Sequence, residues 1–205
     1  MNKQTQKINH WLGSGSINIF GLPFSGKDTQ ASIIAKIFNS VMISSGDILR
    51  HDHGNKKIQE IMASGGIIPS SLFEEIVLPF LSRGELRNRS LVLSSVGRAK
   101  GEESIILHAT ASSGHPTKAV IFLNMPESEV WQRFDEAQEL HDRGNRDDDK
   151  KSAIEKRLQE FRAKTLPVIN YYEKAGLLIK IDGTKSKESV TKSILDQIEM
   201  KTKTD

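Results

Sequence analysis

The chain has 205 residues, 37% of them hydrophobic and 27% charged, the balance of a soluble globular domain able to bury a sizeable core. Its 29 basic and 26 acidic residues leave a net charge of +3, too small a surplus to imply a nucleic-acid partner, and no aromatic-interleaved basic patch accompanies it. The lack of cysteine excludes disulfides, a thiol nucleophile and a cysteine-ligated zinc site.

Residues 1–16 read as a polar lead with Gly13-Ser-Gly-Ser16 as its hinge, and they lack the apolar stretch of a secretory signal. No run in the chain approaches the roughly 18 apolar residues that span a bilayer, so no membrane partner and a cytoplasmic location are expected. Residues 17–20 are a short apolar run closed by Gly21, the pattern of a buried strand. A glycine-rich turn leads into a helix over 29–38, where Ile33, Ile34 and Ile37 share a face, and a second strand follows at 41–43. Residues 45–69 read as helical pieces broken by Gly54 and Gly65-Gly66. His51 and His53 lie there, but at a spacing of two they point apart on a helix and make a poor metal pair. An amphipathic helix is expected over 71–83, opening with a serine cap.

Further strands are expected at 91–93 and 118–123, the second richer in β-branched and aromatic residues. A helix starts at 128–134 behind Pro126, and the strongly polar stretch 135–150 reads as an exposed insert. Residues 152–175 form a long helical stretch bent near Pro167, followed by a fifth strand at 177–181, a closing helix at 187–200 and a polar tail at 201–205. Strands alternating with helices favour an α/β fold, a parallel sheet covered on both faces.

Gly21-Leu-Pro-Phe-Ser-Gly26-Lys27 falls between the first strand and the first helix, where a phosphate loop belongs. Glycines there let the backbone curl so that successive N–H groups face an anion, and the helix N-terminus adds partial positive charge. Lys27 can then reach the β- and γ-phosphates; a glycine-rich turn with a chance lysine is the plainer alternative. One departure stands out: Asp28, not serine or threonine, follows the lysine, and the hydroxyl arrives one later at Thr29.

Gly21-Leu-Pro-Phe-Ser-Gly-Lys-Asp-Thr-Gln30 resembles the phosphate loop of adenylate kinases, whose lysine is usually followed by Gly-Thr-Gln. Further matches come in the family's order: Ser44-Ser-Gly-Asp-Ile-Leu-Arg50, Gly65-Gly-Ile-Ile-Pro69, Arg146-Asp-Asp-Asp149 with Arg157-Leu158, and Thr165-x-Pro-Val-Ile-x-Tyr-Tyr172. The resemblance implies a P-loop NTPase fold with a five-stranded parallel sheet flanked by helices. A kinase domain would occupy 17–200, with an acceptor-binding insert near 46–70 and a short lid near 135–150. It implies transfer of the ATP γ-phosphoryl to a nucleoside monophosphate, with Mg²⁺ as cofactor and the chain acting as a monomer.

On the same resemblance, ATP would be held by Gly21, Pro23, Phe24, Ser25, Gly26, Lys27, Asp28, Thr29 and Arg133. The monophosphate would meet Ser45, Gly46, Arg50, Ile68, Arg98 and Glu102. Lys27, Arg98, Arg146 and Arg157 would carry the catalytic charge, a task suited to arginine because its planar fork binds phosphate in two places and stays charged. For each arginine the bland alternative is a solvated surface group, and for Arg146 and Arg157 ion pairs with Asp147, Asp148 and Asp149 compete.

The family pattern breaks in several places. Ser94-Ser-Val-Gly-Arg98 stands where the family has Asp-Gly-(Tyr/Phe)-Pro-Arg, whose aspartate organises Mg²⁺ through water. Ser94 cannot supply that charge, and Asp28 offers a compensating carboxylate that could bind Mg²⁺ directly. Glu102 stands where a glutamine reads adenine; a carboxylate only accepts hydrogen bonds, which suits guanine or cytosine better, and Glu103 takes the place if the register is shifted by one. Ala137 lies nearest the position of a missing lid arginine, for which Arg143 is a substitute. These losses leave two rivals to the kinase reading: a nucleotide-binding protein without turnover, acting in regulation or as an interaction partner, and a small-molecule kinase on the same scaffold, which the intact Ser44–Arg50 segment opposes.

Overall fold

The computed structural model describes residues 2–45, 49, 56–64, 66–140 and 150–203. Five strands form its sheet: β1 (Ser16–Gly21), β2 (Val41–Ser44), β3 (Leu91–Ser94), β4 (Thr117–Asn124) and β5 (Leu178–Asp182). They pair in the order β2-β3-β1-β4-β5, every pairing parallel. All residues of β1 and β3 are buried, because both strands lie inside the sheet with helices on each face. That is why they read in sequence as continuous apolar runs and not as alternating ones.

The helices described are α1 (Lys3–Leu12), α2 (Lys27–Phe38), α3 (Lys56–Ala63), α4 (Ser70–Leu81), α5 (Glu102–Ser112), α6 (Glu127–Leu140), α7 (Lys151–Glu160), α8 (Leu166–Lys174) and α9 (Lys187–Lys201). On one face α1, α2 and α9 bury Ile8, Leu12, Ile34, Phe38, Ile194 and Ile198 against Ile17 and Ile19 of β1. On the other, α6, α7 and α8 bury Val130, Ile154 and Val168 against Phe20, Val120 and Phe122. A third cluster joins Ile58 and Ile68 to Ile43, Leu93 and Ile106, seating the segment after β2 on the β2–β3 edge.

Several expectations change. The 1–16 segment is no bare polar lead: Asn2 accepts the backbone N–H of Thr5, and α1 drives Ile8 and Leu12 into the core. Two apolar side chains four apart share one helical face, and burying each contributes about 1.5–3 kcal/mol. Gln4 completes the docking by donating to Asp196 and Glu199 of α9. The serine cap expected on α4 is absent, because Pro69 precedes the first turn and the Ser70 hydroxyl goes elsewhere. Helix α5, to which no expectation was attached, occupies 102–112, and α6 runs on to Leu140 through residues expected to begin the lid. Where a bend at Pro167 was expected, a wider π turn at Phe161–Thr165 joins α7 to α8, and Pro167 sits in the first turn of α8. The wider π turn just before it gives the proline ring room inside a continuous helical run. The rest of the lid, 141–149, lies outside the described residues, as do 46–48, 50–55 and 65 of the acceptor insert.

The chain leaves β1 through α2 to reach β2 on one side, and leaves β3 through α5 to reach β4 on the other. The carboxyl ends of β1 and β3 therefore face a topological switch point, the crevice where open α/β sheets bind ligands.

Candidate active site

The loop from β1 to α2 is shaped by what its backbone must do. Phe24 and Gly26 take left-handed conformations, φ 60° and 79°, and the N–H of Ser25 donates to Leu22 O. A Cβ on Gly21 would lie 2.3 Å from Ser25 Oγ and 3.3 Å from Leu123 Cβ, so no other residue fits without opening the loop. Gly26 starts α2 without a side-chain cap, which leaves its first N–H groups for an anion rather than a cap. Pro23 and Phe24 are half-buried, Ser25 is buried, and Thr29 is exposed on the first turn of α2.

Lys27 is largely shielded while Asp28 beside it is half exposed, and their charged atoms stand 3.9 Å apart. Ser94, at the tip of β3 and buried, donates its hydroxyl to Asp28 Oδ1 at 2.5 Å. Asp28 and Ser94, read in sequence as a lost strand-tip carboxylate and its compensation, are thus in direct contact. Adjacent strands make this possible: Ile19 of β1 is in register with Ser94 of β3.

From Ser94 the chain runs to Arg98 along a segment held at every step. The Ser95 N–H donates to Ile19 O, and Ser45 Oγ donates to Ser95 O at 3.0 Å. Asn18, buried inside β1, donates from Nδ2 to Val96 O at 2.8 Å. Gly97 has φ 79°, and a Cβ there would meet Ile106 Cγ1 at 2.7 Å. Thr165, in the π turn, donates to Arg98 O at 3.1 Å. Asn18 and Thr165 were not singled out as site residues. The signal for Asn18 was present, an amide side chain in the middle of an apolar strand, since such a group is kept inside only when it is hydrogen-bonded.

Arg98 is thereby placed among charges. Burial and the nearby Arg157 of α7 push its guanidinium below the ordinary arginine value, and Glu102, Glu160 and Asp28 oppose that shift. Arg157, Asp28, Glu102 and Glu160 thus stand close enough to Arg98 to act on its charge. Glu102 is buried, Oε2 accepting the Ala99 N–H at 2.9 Å and Oε1 the Ser70 hydroxyl at 2.8 Å. It ties the start of α4, where the acceptor insert ends, to the turn that carries Arg98. Glu103 instead accepts the Gly101 N–H. Ile68 is buried in the core cluster beneath the insert.

Arg133, on α6, spends its donors on Glu129, Phe24 O and Gly183 O. It bridges the phosphate loop to the turn after β5, one wall of the space beside that loop. Ala137 follows on the same helix. Gly46, Arg50, Arg143 and Arg146, with Asp147, Asp148 and Asp149, lie outside the described residues.

Comparison with known proteins gives a consistent picture. Residues 19–177 match the family model described as adenylate kinase. The chain is 30% identical to probable UMP-CMP kinase 1 of Arabidopsis thaliana over 198 residues, which cover 94% of this chain and 92% of the relative. It is 29% identical to an adenylate kinase of Thermus thermophilus over 181 residues, 85% of this chain and 92% of the relative. With the adenylate kinase of Thermobifida fusca the identity is 32% over 178 residues, 84% of this chain and 92% of the relative.

Proposed function

Because the chain belongs to the adenylate kinase family, we infer that it is an ATP-dependent nucleoside monophosphate kinase that uses the loop at the end of β1 for the donor and the Ser94–Arg98 segment for the acceptor phosphate. The observation that carries this assignment is the hydrogen bond from Ser94 to Asp28, because it brings the donor loop and the acceptor arginine's segment edge to edge. Phosphoryl transfer asks mainly for such positioning and for charge neutralisation, and no protein nucleophile is needed.

Lys27 and the uncapped start of α2 hold the donor's terminal phosphates. Arg98 holds the acceptor phosphate, and Arg157 balances charge on the oxygens of the group in flight. In this reading Arg146 and Arg50 add to that set from the lid and the insert, and closure of the lid excludes water that would hydrolyse ATP. Arg133, with Phe24 and Gly183, borders the donor's base. Adenylate kinases generally work with Mg²⁺. The residues here fit such an ion, since Asp28 and Ser94 offer hard oxygen donors next to Lys27. Bound there with ATP, it would neutralise charge on the β- and γ-phosphates.

For the acceptor, Glu102 favours a base that presents donors, guanine or cytosine over adenine. Membership of the family allows such a range, since one relative is named a probable UMP-CMP kinase. In this reading the chain acts as a monomer, and no described helix is long and apolar enough to cross a membrane. A coupled assay with ATP, Mg²⁺ and each of AMP, GMP, CMP and UMP tests the reading. Turnover with at least one acceptor is expected, and silence with all four would overturn it.

A further inference from the structure

Phosphate loops ordinarily place a hydroxyl just after the lysine and a carboxylate on a neighbouring strand, both directed at the cation that accompanies the triphosphate. In this chain the carboxylate is on the loop as Asp28, with the loop hydroxyl one residue later at Thr29, and a hydroxyl stands on the strand as Ser94, 2.5 Å from Asp28. A full negative charge thus stands in the loop that must cradle phosphates and not on the strand. Asp28 stands in the first turn of α2, half exposed, where the bound anion also belongs.

We propose that Asp28, aimed by Ser94, makes this loop bind triphosphate only as its complex with a divalent cation, so that metal-free nucleotide is rejected. The inference rests on the loop being the donor site. A carboxylate beside phosphate repels it unless a cation lies between, whereas a neutral hydroxyl is indifferent. Ser94 is a positioning residue. Its hydroxyl occupies Oδ1, while Asp28 Oδ2 forms a long ion pair with Lys27 at 3.9 Å.

Equilibrium binding of ATP, by calorimetry or a fluorescent analogue, in Mg²⁺ and in EDTA gives a readout independent of turnover. In the wild type the dissociation constant should rise steeply on removing Mg²⁺. Asp28→Asn should tighten binding in EDTA by on the order of tenfold, the effect of one unit charge at a few ångströms near the surface, and weaken it in Mg²⁺. Ser94→Ala should shrink the metal dependence while Ser94→Thr preserves it, and Asp28→Asn with Ser94→Asp should restore it. A wild type that binds ATP equally in both conditions would overturn the proposal, as would an Asp28→Asn variant whose ratio is unchanged. Lys27→Ala separates the two levels. If it leaves ATP binding intact, the donor site itself is misplaced; if it abolishes binding while Asp28→Asn changes nothing, only the metal coupling fails.

Discussion

Glu102→Gln tests the acceptor site most sharply, because two separate costs can be worked out from its surroundings. The wild-type carboxylate is only 1% exposed and accepts one hydrogen bond on each oxygen. Glutamine keeps the shape but has a single accepting oxygen. That oxygen must stay on the Ala99 N–H, which has nowhere to turn, while the Ser70 hydroxyl can rotate and accept from the new amide group. The number of bonds is conserved and the charge is lost. A hydrogen bond to a charged group contributes about 1.5–3 kcal/mol against about 0.5–1.5 for a neutral one, so two weakened bonds cost about 1–3 kcal/mol. For a chain of this size that lowers Tm by roughly 2–10 °C.

The effect on substrate choice has a different sign for different bases. An ionised carboxylate has lone pairs left for donors on guanine or cytosine, but adenine's ring nitrogen presents another acceptor and is repelled. A glutamine amide satisfies both edges of adenine. One mismatched polar contact is worth about 1–3 kcal/mol, or roughly 5- to 150-fold in relative kcat/KM. Comparing kcat/KM for AMP, GMP, CMP and UMP in wild type and Glu102→Gln, alongside thermal melting, separates the two costs. The wild type is expected to prefer GMP or CMP over AMP relative to an ordinary adenylate kinase, and the variant to move toward AMP. If the wild type strongly selects AMP and the variant differs only in Tm, Glu102 is a structural tie between Ser70 and Ala99 and the base argument is refuted.

Lys27→Ala should lower kcat/KM by on the order of 10²–10³ without moving Tm, and unchanged turnover would remove this loop from the active site. Asn18→Leu leaves the buried Val96 carbonyl without its side-chain donor, at a cost of about 1–3 kcal/mol in stability. Because that donor holds the segment leading to Arg98, KM for the monophosphate should rise more than the dissociation constant for ATP; equal changes in the two would refute a positioning role. Ile8→Ala should cost about 2–4 kcal/mol by denaturant melting, since Ile8 is fully buried between α1 and the core. No loss would mean that α1 is not part of the cooperative unit.

Much of the scaffold was legible because it obeys short-range rules. The apolar runs at 17–20, 91–93 and 118–123 were placed to within a residue or so, because strands buried on both faces leave few polar positions to blur them. What escaped depended on long-range partners. Helix α5 opens with Glu102 and Glu103, which look like surface residues, yet both are buried because backbone N–H groups and a serine 32 residues away supply their hydrogen bonds. Helix α1 carries a thin apolar stripe whose meaning is set by α9 at the opposite end of the sequence. Asp28 and Ser94 were already linked in sequence as compensation and loss, but their direct hydrogen bond depends on the β1–β3 neighbourhood, which periodicity does not encode.

That pairing bears on whether the chain is a working kinase or a nucleotide-binding relic. Under drift, two substitutions 66 residues apart have no reason to complement each other, and a lone carboxylate in the phosphate loop would simply repel ATP. Here the serine that replaces the strand-tip carboxylate donates to the gained loop carboxylate, so hard oxygen donors of the kind a divalent cation takes still stand together. The segment beyond Ser94 points the same way. Arg98 is held half-buried beside Arg157, a placement that disfavours its charge, and Asn18, Ser45 and Thr165 all spend hydrogen bonds on keeping the segment in place. A protein released from catalysis gains nothing from holding a guanidinium where burial and Arg157 both work against its charge. In the proposed reading that placement becomes favourable once phosphates occupy the crevice, the state that phosphoryl transfer needs.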